Sequence, residues 1–75
     1  MEMVYKDNIL FINIEDRINF SLIKKLKNKL FYLIDSYGVE EIILNINSNE
    51  HYDRTLLYEL LNEYNQKYTG KFTVK

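Results

Sequence analysis

Apolar residues recur along this chain with two periods, and the changes of period mark its elements. Ile9 to Ile14 (Ile-Leu-Phe-Ile-Asn-Ile) is a β-branched and aromatic run that predicts a strand, and Met3 to Tyr5 predicts a shorter one before it. Lys6-Asp7-Asn8 between them is a turn triplet, because Asp and Asn bond their own backbone and tolerate left-handed conformations. An N-terminal hairpin follows from the three segments together. Glu15 to Ile18 is a polar connection, after which the period becomes helical. Leu22, Ile23, Leu26, Leu30, Leu33, Ile34 and Tyr37 share one face, while Lys24, Lys25, Lys27 and Lys29 take the other. Asn19 or Ser21 can cap this helix. Gly38 can end it in a left-handed turn without a Cβ penalty, so the spacing predicts a helix over 20–37.

Glu41 to Ile46 is a compact apolar run, and its continuity predicts a strand buried on both faces, central and parallel to a neighbour. Asp53 then caps a second helix to about Lys67, with Leu56, Leu57, Leu60, Leu61 and Tyr64 inward. Thr69-Gly70 ends it, and Lys71 to Lys75 begins a last strand around Phe72-Thr73-Val74. The order β-β-α-β-α-β, with helical crossovers, predicts an α/β sandwich with a mixed four-stranded sheet.

Length makes this a single small domain over residues 1–75. A chain of this size buries about 60% of its unfolded surface, and its core supplies roughly 3–5 kcal/mol at most. It has no cysteine, so disulfides and thiolate metal ligands are excluded. Dense packing of a 47% hydrophobic composition and self-association remain as sources of stability. The net charge of −1 provides no field to attract nucleic acid. Ile9 to Ile12 is too short for a signal peptide or a membrane span, and a cytoplasmic location is expected.

The candidate chemistry is thin. His51 is the only histidine, and it lacks a second ligand at helical spacing or a nucleophile to serve. Asp16 and Glu15 with Arg17 read as a solvated turn. The lysines of the first helix read as the outer face of an amphipathic helix. Only Gly38 and Gly70 are glycines, so no phosphate-cradling loop is present. Neither an enzyme nor a cofactor nor a metal is expected. Asp53 and Thr55, in the first turn of the second helix, read on residue type alone as capping residues.

The whole chain nevertheless resembles a STAS domain, the module of bacterial anti-sigma-factor antagonists and stressosome proteins. In that family an apolar strand leads into Gly-x-Leu-Asp and a helix; here Ile9 to Ile14 leads into Asp16-Arg17-Ile18-Asn19. The family continues with a strand of the type Val-Val-Leu-Asp-Leu, a short loop, and Asp-Ser-Ser-Gly-Leu at the head of a helix. Here Ile42-Ile43-Leu44-Asn45-Ile46 is the strand and Asp53-Arg54-Thr55-Leu56-Leu57 falls at the motif. Gly70-Lys71-Phe72-Thr73-Val74 resembles the next strand. The chain departs from the pattern at Asp16, Arg54 and Leu56, which replace a Gly, the first hydroxyl and the motif Gly. It also stops where the family adds further helices, as a truncated, divergent member would.

The resemblance implies a non-enzymatic protein–protein interaction module in signalling and transcription regulation, with Thr55 at the family's phosphorylated position. The expected partner surface is Asn47, Ser48, Asn49, Glu50, His51, Tyr52, Asp53, Arg54, Thr55 and Leu56. The expected partner is an anti-sigma-type kinase or another regulator. Phosphorylation would add about −1.5 to −2 charges there. Alternatively, Arg54 makes the surface a constitutive binder. Missing terminal helices would leave a sheet edge or face uncovered, which predicts a homodimer, a higher oligomer or an obligate partner subunit. A small inhibitor or adaptor, such as a phage-encoded one, using the same fold is the alternative reading.

Overall fold

The computed structural model describes residues 1–48 and 51–75. It contains β1 (Glu2–Lys6), β2 (Ile9–Ile14), α1 (Phe20–Tyr37), β3 (Glu41–Ile46), α2 (Arg54–Lys67) and β4 (Lys71–Val74). This is the predicted element order. The four strands form one mixed sheet in the order β1-β2-β3-β4. β1 is antiparallel to β2, whereas β2, β3 and β4 run parallel.

Local chemistry explains each boundary. Asp7 and Asn8 both take positive φ, 54° and 65°, and Lys6 pairs with Ile9. That is a two-residue hairpin loop whose twist matches the strands it joins. Of the two candidate caps for α1, Asn19 is used: its side chain accepts from the Leu22 N–H at 2.9 Å. Gly38, at φ 68°, closes the other end by donating to the Ile34 carbonyl at 2.9 Å. α2 ends at Lys67 as expected, but Tyr68 rather than the Thr69-Gly70 pair closes it: the Tyr68 N–H donates to the Tyr64 carbonyl. Gly70 is needed for space: a Cβ there would meet the Glu40 carbonyl oxygen at 2.5 Å and the Tyr64 hydroxyl at 2.6 Å.

Both helices cover the same face of the sheet. The strand order never reverses, so two right-handed crossovers must return on the same side. The core lies between them and the sheet, built on Leu10, Ile12 and Ile14 of β2, Ile42 and Leu44 of β3, Leu26 and Leu30 of α1, and Leu60 and Tyr64 of α2. An aromatic cluster closes it at the β4 edge. Tyr64 meets Phe72 edge-on at 5.1 Å between centroids, and Phe31 meets Tyr68 in the same way at 5.4 Å. Tyr37, expected inward, is 61% exposed. It lies at the last turn of α1, where its ring stands 6.0 Å from that of Tyr5 on β1.

The second face of the sheet carries no helix, which corrects the expectation for β3. That strand is central and parallel, but it is buried on one face only: Ile42 and Leu44 are sealed, Ile43 is half-buried and Asn45 is exposed. Among the described residues no helix is long and apolar enough to cross a membrane.

Candidate partner-binding surface

The carboxyl ends of β2 and β3 each feed a connection that ends at a helix cap, Asn19 for α1 and Asp53 for α2. Parallel register sets Ile14 beside Ile46. The two connections therefore leave the sheet side by side and both helices start at one end of the molecule. A shallow depression lies between them, lined by Arg17 and Phe20 from one side and His51, Tyr52 and Leu56 from the other. Tyr52 also lines a second depression on the β4 side, with Arg54 and Tyr58.

The predicted partner surface divides on this geometry. His51, Asp53, Arg54 and Thr55 are exposed, while Tyr52 and Leu56 are half-buried with their apolar parts against the core. Asn47 belongs to a different aspect of the molecule. Its N–H donates to the Ile14 carbonyl at 2.8 Å and its amide donates to the Asn13 side chain at 2.6 Å, which ties it to the end of β2. Ser48 is half-buried. Asn49 and Glu50 lie outside the described residues.

Thr55 is engaged in the cap that its residue type suggested. Asp53 Oδ1 accepts from the Thr55 N–H at 2.9 Å. This backbone donor first, and then the Thr55 hydroxyl, hold the Asp53 carboxyl below the ordinary carboxylate range. Asp53 thus stays ionised beside the candidate phosphosite. A phosphate on Thr55 would gain from the N-terminal end of α2 but would sit against this carboxylate.

The sequence pattern missed Phe20. It is 68% exposed at the first position of α1 and lines both the depression and the groove between the helices, where Leu56 joins it again. Its signal was legible in retrospect: an aromatic outside the stripe that begins at Leu22. Across that groove Lys27 pairs with Glu63 at 3.2 Å, so at least one of the outer-face lysines serves helix–helix packing. Among the described residues no group of three His, Cys, Asp or Glu side chains could hold a metal ion.

No family model matches this sequence, and the searches of curated proteins and of solved structures return no match to the chain.

Proposed function

We propose that this chain is a non-enzymatic protein–protein interaction module of the STAS type. Its partner docks at the end of the molecule where α1 and α2 begin. The observation that carries this reading is Phe20, an exposed aromatic that lines one depression with Tyr52 and Leu56, while Arg54 lines the adjoining one with Tyr52 and Tyr58. Aromatic residues and Arg are the side chains that most often anchor protein interfaces, and here they border two shallow depressions that meet at Tyr52. The position of Asp53-Arg54-Thr55 at a helix head after a parallel strand supports the STAS comparison. The Asp53–Thr55 contact favours the constitutive form of the module over the phosphorylation switch, because the backbone N–H of Thr55 holds an anionic carboxylate beside its side chain.

The test is affinity capture from the source cells with the wild-type chain and with Phe20→Ser and Arg54→Glu variants, alongside intact-mass analysis of Thr55. A protein bound in stoichiometric amount by the wild type and lost with both variants is the expected result. An anti-sigma-type kinase as that protein supports a regulator, and an unrelated enzyme supports an inhibitor or adaptor. Equal capture by all three chains removes this surface from consideration. A modified Thr55 whose mimic Thr55→Glu releases the partner would restore the switch. The uncovered sheet face favours a second reading, in which the chain also assembles with itself.

A further inference from the structure

The uncovered face of the sheet is arranged in rows that cross all four strands. Its middle row is Val4, Phe11, Ile43 and Thr73, joined by the strand register. Val4 is 58% exposed and Phe11 42%. On the carboxyl side of the parallel strands, Glu2 pairs with Asn13 and Asn13 with Asn45. Lys75 completes that row, since its backbone bonds Leu44 and Ile46 on either side of Asn45. On the opposite side the row runs Lys6, Ile9, Glu41, Lys71. An apolar centre thus lies between two polar borders, and the borders carry both signs of charge.

We infer that this face is covered by a second copy of the same chain, packed sheet on sheet about a two-fold axis that runs parallel to the strands between β2 and β3. The charge pattern argues for a copy of itself. Such an axis lays Glu2 over Lys75 of the other copy, and does so twice. A partner of one sign, such as nucleic acid or an acidic peptide, would meet like charge at one border or the other. The size pattern selects the axis. It sets Phe11 over the smaller Ile43 and Val4 over Thr73, so the gap between the sheets is more even than any pairing of each strand with itself allows. An axis across the strands would instead stack Phe11 on Phe11 at one place and Thr73 on Thr73 at another. It also sets Asn13 over Asn45, and an amide both donates and accepts. Lys6 over Lys71 is the unfavourable corner, relieved by Glu41, which neighbours Lys71 on β3. Three residues from each of four strands cover roughly 400 Å² per partner at the area per residue usual in interfaces, half the standard size. Association is therefore reversible and depends on concentration. Because the axis follows the strands, both starts of α2 emerge at the same end of the dimer, clear of the interface.

Sedimentation velocity over a dilution series tests this. The wild type should pass from dimer to monomer on dilution. Phe11→Lys, on a side chain already open to solvent, should raise the dissociation constant by about 30-fold or more, as loss of a central anchor does. Charge reversal needs no change in packing: Glu2→Lys and Lys75→Glu should each weaken the dimer, and the double variant should restore it. Circular dichroism checks that each variant is folded. A wild type that stays monomeric at high concentration overturns the proposal, as does a dimer indifferent to Phe11→Lys in a folded protein. Lys6→Glu alone should tighten the dimer, because it sets a carboxylate over Lys71; a dimer weakened by Lys6→Glu overturns the axis, because the new carboxylate would lie over Glu2 when the axis crosses the strands.

Discussion

On the helix side of the sheet, Leu10, Ile12 and Ile14 are at most 1% exposed. On the other side of the same strand, Ile9, Phe11 and Asn13 are open to solvent in whole or part. β3 repeats the contrast, with Ile42 and Leu44 sealed and Ile43 and Asn45 not. The two faces share strands, backbone hydrogen bonds and much of their residue chemistry. They differ only in what the crossovers lay on them. The covered face supplies the stability of the fold, while the uncovered face and the helix starts hold the surface left for partners.

Truncation should separate the faces most sharply. Leu44→Ala is expected to cost about 3 kcal/mol, most of what a domain this small possesses. Val4→Ala on the open face should stay within about 0.5 kcal/mol when measured on the monomer. Denaturant titrations at low protein concentration compare them, and equal losses would break the distinction between the faces.

A smaller effect is expected at the seam where β4 closes the covered face. Gly70→Ala should cost about 1–3 kcal/mol, since its Cβ must displace the Glu40 carbonyl or the Tyr64 hydroxyl. Adding Tyr64→Phe should recover part of that loss. No recovery would mean that the Glu40 carbonyl alone sets the limit.

The smallest effect belongs to alkaline pH. Burial, and after it the neighbouring Tyr68, push the Tyr64 phenol above its ordinary value. The unfolded chain ionises near pH 10 while the folded chain keeps its proton, so above that pH the folded state binds more protons and stability falls as pH rises. The contribution is complete below pH ~10 and is lost as pH climbs through the folded value. Tyr64→Phe should flatten this alkaline limb in a series of melts from pH 8 to 11. An unchanged slope would assign the limb to Tyr68, also raised by burial first.

Much of the architecture is legible in local chemistry. The Asp7-Asn8 turn, the Asn19 and Asp53 caps, and Gly38 punctuate the chain where the structure places its boundaries, because each acts through its own or adjacent backbone. The stripe of α1 predicts its buried residues for the same reason, apart from Tyr37 in the last turn. The candidate surface was legible only in part. Arg54 and Thr55 stand at the helix start as their spacing suggests. Phe20 comes beside Tyr52 and Leu56 from the start of the other helix, a distance in the chain that no local pattern spans.

The sequence by itself determined the elements, their order and their ends, since hydrophobic period and capping act within a few residues. It marked the buried side of β2 and β3 only faintly. Ile9 and Phe11 are as apolar as Leu10 and Ile12, and Asn13, Glu41 and Asn45 alone put polar groups on the other side. Tertiary structure decided that this other side would carry no helix. Strands laid down in sequential order, joined by right-handed crossovers, return both helices to one face and leave the other bare. The same close packing turned Gly70 from an apparent helix stop into the residue that lets β4 approach Glu40 and Tyr64.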